Sequence, residues 1–203
     1  MKANPEYRLW RAQLGCCWRE DVRGGETFKV PHAYLPERMK PRPELATDGR
    51  VNPKGIACLY LATCKKTATL EVRPLIGSYV SLGQFKVLRA IRVVDCTVGM
   101  DAPAKRRRAT RTVPQDAETT VWLDINDAFS KPVERGDSSL DYVPTQILAE
   151  TFKRHGFDGV AYKSSYGEEG LNVALFDIEA ADLVEPPTLY RIKDVSIEME
   201  EAP

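Results

Sequence analysis

Long apolar runs are missing from this chain. Nowhere do about eighteen hydrophobic residues follow one another, the length a membrane-spanning helix needs, and the opening MKANPEYRLW lacks the unbroken apolar segment of a secretory leader. Both absences lead us to expect a cytoplasmic protein. Histidine is scarce, only His32 and His155, and the five cysteines, Cys16, Cys17, Cys58, Cys64 and Cys96, contain no CxxC pair. A zinc centre is therefore not expected, and free thiols in a reducing compartment are. Neither sign of charge is in excess: 29 Lys and Arg stand against 29 Asp and Glu, a net charge of +0. That balance removes a whole-protein attraction to nucleic acid or anionic lipid and leaves only local patches.

What is present is ordinary for a globular protein: 203 residues, 43% hydrophobic and 29% charged. That length suits one domain with a real core. We expect a single domain over 1–203, with a core of about 7–185, a polar insert at 97–119 and a C-terminal extension at 186–203.

Along the chain, Tyr7 to Leu14 suits a strand with Leu9 and Arg11 on one face and Trp10, Ala12 and Leu14 on the other. An arginine so placed can lie over a sheet with its head in water. Val30 to Asp48 carries Pro31, Pro36, Pro41 and Pro43 and reads as a long irregular segment, from which His32 and Tyr34 can approach a ligand. Tyr79 to Val87 reads as a short strand or turn, and Leu88 to Asp95 as a central strand. The insert holds Lys105, Arg106, Arg107, Arg108 and Arg111 without interleaved aromatics, so a solvated loop is expected rather than an RNA-binding surface. Two helices follow, one with Val121, Trp122, Ile125, Ala128 and Phe129 at helical spacing, the other with Val143, Ile147, Leu148 and Phe152. Pro144 fits the first turn of the second and Gly156 its end, while Ser130 to Asp141 between them is a loop. Phe157 to Tyr162 and Asn172 to Asp177 are strands, and the tail segment TLYRIKDVSIEM adds an edge strand. The sum is an α+β fold.

The densest signals lie between Gly49 and Pro74. Asn52-Pro53-Lys54-Gly55 is a turn, since proline holds the preceding residue extended and glycine accepts the closing positive φ. A strand over Ala57 to Ala62 would put Leu59 and Leu61 on one face and Cys58, Tyr60 and Ala62 on the other. Thr63 is a usable N-cap for a helix whose stripe is Ala68, Val72 and Leu75, with Glu71 beside it. On these residues alone Glu71 reads as a solvated helix carboxylate pairing with a neighbouring Arg or Lys, and Tyr60 as core packing. Set apart, a carboxylate at the edge of a core-facing stripe needs a partner.

This stretch resembles the signature of the RES-domain family, named for Arg, Glu and Ser, many of whose members are toxins of toxin–antitoxin modules. The matching residues are Gly49-Arg50 with Asn52 and Gly55, the Leu59-Tyr60-Leu61-Ala62 strand, and the Ala68 to Glu71 spacing. Downstream, Lys163-Ser164-Ser165 and Gly170-Leu171-Asn172 resemble the family's strand ending at Ser and its Asn opening an apolar strand, with spacing that favours Ser164 over Ser165. Upstream, Arg11-Ala12 resembles its first-strand arginine. The resemblance implies an ADP-ribosyltransferase-like mixed β-sheet core with flanking helices. It also implies an enzyme that takes NAD as substrate, uses no metal and splits the nicotinamide–ribose bond by hydrolysis or phosphorolysis. In that scheme Glu71, Tyr60 and Arg50 are catalytic, and Arg11, Arg50, Asn52, Tyr60, Ser164 and Asn172 bind the dinucleotide. A cognate antitoxin is the implied protein partner, neither membrane nor nucleic acid is expected as one, and self-association stays open. The rival readings are ADP-ribosyl transfer to a macromolecule and a non-catalytic nucleotide- or antitoxin-binding module.

Overall fold

Apolar residues at every second position give strands that bury whole faces, and in the computed structural model of this chain nine strands join into one sheet. The structure describes residues 1–97, 117–131, 139–166 and 170–196. The basic run Lys105 to Arg111, Pro132 and Gly136 lie outside the described residues. In chain order the strands are β1 (Lys2–Ala3), β2 (Arg8–Leu14), β3 (Cys17–Arg23), β4 (Glu26–His32), β5 (Leu59–Ala62), β6 (Tyr79–Val87) and β7 (Ile91–Asp95), then β8 (Gly159–Lys163), β9 (Leu171–Leu175), β10 (Ala181–Leu183) and β11 (Thr188–Arg191). The helices are α1 (Lys65–Glu71), α2 (Ala117–Ser130) and α3 (Val143–Arg154). The large sheet runs β1-β7-β8-β9-β5-β2-β6-β10, with β11 also on β6. Among the described residues only β7 and β8 pair in parallel, and the chain between them supplies α2 and α3, since parallel neighbours need a long crossover.

One face of this sheet buries Leu9, Leu59, Leu61, Phe85, Val93 and Leu175 together, closed by Met39 from the segment before the signature. On the other face Val94, Val160, Tyr162 and Ala174 meet Phe129 of α2 and Ala149 of α3, and Trp10, Ala12 and Ala62 meet Ala68 of α1. The alternation expected for the signature strand is therefore realised, with Leu59 and Leu61 in one core and Tyr60 in the other. Burial pushes the free thiols of Cys58 and Cys96 up to about 11 and about 12, so both stay protonated at neutral pH. Among the described residues no helix is long and apolar enough to cross a membrane.

Several expectations are corrected. Residues 17–32 form a β3–β4 ribbon separate from the main sheet, so the irregular segment starts after His32 rather than at Val30. Its sequence mixes charges with exposed Trp18, Val22 and Phe28, because a two-stranded ribbon has no core to alternate against. Tyr79–Val87 is a full strand bearing β2, β10 and β11, and Ile91–Asp95 lies one strand from the sheet edge, not at the centre. Cys64, not Thr63, caps α1: it is extended and its Sγ accepts from Thr67 N at 3.4 Å. Thr63 instead continues the ladder to β9, its amide donating to Leu171 O at 2.9 Å and its hydroxyl accepting from Leu171 N at 2.8 Å. Leu75 leaves the helical stripe because Arg73 turns left-handed at φ 47° ahead of Pro74, and it is 77% exposed.

Phe129 is fully buried and anchors α2 on the sheet. We expect Phe129→Ala to cost about 3–5 kcal/mol of unfolding free energy, measured by urea denaturation. A loss below about 1 kcal/mol would show that α2 is not docked there.

Candidate active site

The signature turn is held by backbone before any side chain enters. Gly49 N donates to Asn52 O at 2.9 Å and Asn52 N to Gly49 O at 3.4 Å. From α3, Gln146 Nε2 donates to both of those carbonyls at 3.0 Å. Tyr60 then reaches in from β5, its hydroxyl donating to Asn52 Oδ1 at 2.7 Å and accepting from Val51 N at 3.2 Å. Asn52 is buried and its amide donates to Thr47 O at 3.0 Å, which fixes its orientation. Glycine is required at 49 by close approach, because a Cβ there would stand 2.5 Å from Tyr60 Oη. Burial holds the Tyr60 phenol well above its usual range, so it stays neutral.

Glu71 closes α1, and two buried donors converge on one of its oxygens. Ser164 Oγ and Asn172 Nδ2 each donate to Oε1 at 2.7 Å. Sheet register explains the meeting: Asn172 stands opposite both Ala62 on β5 and Tyr162 on β8, and Ser164 follows the end of β8. Charge-assisted hydrogen bonds of this kind are the stronger ones. The second carboxylate oxygen has no partner among the described residues, and Glu71 as a whole is exposed. Ser165 is exposed and its hydroxyl donates to Ser130 O, so of the two adjacent serines it is Ser164 that reaches Glu71.

Arg11 sits where two strands part. β2 and β5 pair only at Trp10 and Ala62. Past that point Arg11 Nη1 donates to Tyr60 O at 2.8 Å, a carbonyl the ladder no longer satisfies. Its Nε is enclosed without a partner, and desolvation lowers the guanidinium pKa to about 10. No carboxylate pairs with it among the described residues. A cavity of about 720 Å³ opens at this divergence, lined by Arg11, Asn52, Tyr60 and Val72 among others.

The expected residues thus fall into two groups. Arg11, Asn52 and Tyr60 line the cavity, whereas Glu71, Ser164 and Asn172 form a cluster outside its lining, adjoining it in sequence through Val72. Arg50 joins neither: its Nη1 donates to Ala128 O at 3.2 Å, at the C-terminal end of α2 where a cation meets unpaired carbonyls. The two groups are neighbours through the buried Tyr162, whose phenol responds to both Glu71 and Arg50, while Tyr60 responds to Tyr162 and Arg50. His32 is exposed on β4, and Tyr34 packs against the core beside Met39. Gln146 and Tyr162 were not singled out from sequence. Gln146 sits three residues before buried Ala149 on the inward side of α3, and Tyr162 alternates with Val160, so helix and strand periodicity was the available signal. Among the described residues no group of three or more His, Cys, Asp or Glu side chains is placed to hold a metal.

Tyr60 and Tyr162 both have raised pKa values, chiefly through burial. Their unfolded counterparts ionise near pH ~10, so the unfolded chain sheds protons first and stability falls as pH rises, by about 1.4 kcal/mol per pH unit for each phenol. Tyr162→Phe should flatten that decline, read from urea midpoints between about pH 9 and about pH 11. An unaltered slope would mean that this phenol is solvated.

The family model described as RES domain matches residues 17–197, a span that begins after Arg11. Among solved structures the chain is similar to one in the M. tuberculosis MbcT–MbcA toxin–antitoxin complex, at 14% sequence identity and a TM-score of 0.36, covering 91% of this chain and 87% of that one. No curated protein matches the chain. With residues 17–197 of 203 inside the family model, the chain belongs to the RES domain family.

Proposed function

We propose that the protein is a toxin-like enzyme that consumes NAD by breaking the bond between nicotinamide and ribose. The observation that carries this reading is the Glu71 carboxylate, one oxygen pinned by Ser164 and Asn172 and the other uncommitted among the described residues, next to a cavity with an enclosed guanidinium that no described carboxylate neutralises. As the C1′–N bond breaks, its electron pair goes to the nicotinamide nitrogen and the ring leaves neutral. Positive charge then develops on the ribose, and a fixed carboxylate stabilises it, as in glycoside hydrolysis. An oxygen of water or phosphate adds to C1′ and releases a proton. The exposure of Glu71 leaves such an acceptor a path from solvent.

Arg11 is the counter-ion for the pyrophosphate in this reading. A buried charge without a partner is costly, and a guanidinium offers parallel donors to phosphate oxygens. Tyr60 and Asn52 present the cavity wall, and Arg50 contributes positive potential from the end of α2 instead of touching the ligand. An antitoxin belongs to the same reading as a protein that covers the cleft. Transfer of ADP-ribose to a macromolecule is distinguished by label from NAD appearing on protein or nucleic acid.

Glu71→Gln keeps an acceptor for Ser164 and Asn172, so it should fold normally and lose NAD consumption by about two orders of magnitude or more. Products identified by mass, with and without phosphate, provide the assay, and retained turnover would refute the role. In the Glu71→Gln background, Arg11→Met should leave ligand-free stability within about 1 kcal/mol and abolish the rise in Tm that NAD produces. A persisting rise would show that Arg11 does not hold the nucleotide.

A further inference from the structure

The cavity is lined by more cations than acids. Among the described residues its cations are Arg11, Arg38, Lys40 and Arg42, and its one acid is Glu37. Lys40 is already matched, with Glu179 at 2.9 Å and Asp182 at 3.5 Å, and Arg42 approaches Glu44 at 3.7 Å. Arg38 has no carboxylate partner among the described residues. Its guanidinium lies over the Tyr34 ring at 4.2 Å from the centroid, a stack that orients the group while leaving its in-plane N–H donors free. Tyr34 is itself fixed, its amide donating to Ser81 Oγ at 2.9 Å and its hydroxyl to Leu14 O at 3.2 Å.

The position of Arg38 follows from the sheet. Gln13 Nε2 donates to Arg38 O at 2.8 Å, which ties the arginine to β2 two residues beyond Arg11. Trp10, Ala62 and Asn172 stand in one row across β2, β5 and β9. Arg38 and Arg11 line one cavity, so a dinucleotide with its reacting ribose at Glu71 and its pyrophosphate at Arg11 has Arg38 among the groups left to meet its adenosine half.

We infer that this cavity selects a dinucleotide bearing a further phosphate on the adenosine ribose, and that Arg38, stacked on Tyr34, is the residue that receives it. The inference rests on the dinucleotide reading of the site. A phosphate monoester carries about −1.5 to −2 charge near neutrality, and a nearby arginine is how dinucleotide sites accommodate a 2′-phosphate. Arg38 matches that group in charge and donor geometry, whereas unphosphorylated NAD leaves it unpaired.

The test compares adenosine 2′,5′-bisphosphate with 5′-AMP by titration calorimetry on the full chain, and NADP with NAD as substrates. The bisphosphate should bind at least about tenfold more tightly, Arg38→Gln should bring that ratio close to one, and Arg38→Lys should restore part of it. Equal binding of the two nucleotides by the parent protein, or a ratio unmoved by Arg38→Gln, overturns the inference. Cleavage of NAD without any preference for NADP overturns it while leaving the proposed reaction standing. Selective binding of the bisphosphate without cleavage of either dinucleotide supports it and refutes the reaction instead.

Discussion

The convergence of two buried donors on a single oxygen of Glu71 is the contact on which the candidate site depends. Ser164 directly follows β8, Asn172 lies on β9 and Glu71 ends a short helix, so the three meet only if β5, β8 and β9 hold their register. A one-residue slip in a strand turns every side chain to the other face. Asn172 would then leave the helix-bearing face for the core of Leu61 and Val173. The site's precision is thus inherited from burial of the sheet on both faces, not from the loops around it.

A second constraint comes from the turn ahead of β5. Gln146 clamps Gly49 and Asn52 from α3, and the Tyr60 hydroxyl fills the space a side chain at 49 would take. The phenol is thereby kept neutral and fixed, with its only proton donated to Asn52. Tyr60 is available to a ligand as an aromatic surface and not as an acid. Charge at the site is left to Glu71 on one side and Arg11 on the other.

Divergence of β2 from β5 after one paired residue produces the cavity and also explains Arg11. A continuous ladder would satisfy Tyr60 O from the neighbouring strand and leave no gap. Here the arginine supplies that hydrogen bond while its Nε stays enclosed and unpaired. Few buried polar atoms go unpartnered in folded proteins. In the proposed function, the pyrophosphate of the dinucleotide completes this one.

Periodicity made much of this legible from sequence: the β5 strand and its two faces, the helices around Trp122 and Leu148, and the strands on either side of Ser164 and Asn172. The β3–β4 ribbon escaped because, lying outside the main sheet and meeting it through the Trp18 ring on Tyr79, it has no buried face to alternate against, and Leu75 was misassigned because a left-handed residue before proline ends the helix early. Local chemistry, which depends on neighbours a few residues apart, is written in the chain itself: turn at Gly55, helix after Cys64, strand at Leu59–Ala62. Which serine meets the carboxylate, that Arg50 turns to α2, and that Arg11 reaches the Tyr60 carbonyl were decided by contacts between residues 49 to 101 positions apart. Such contacts depend on how strands order and where they separate, and that is set by packing of the whole sheet rather than by any segment of it.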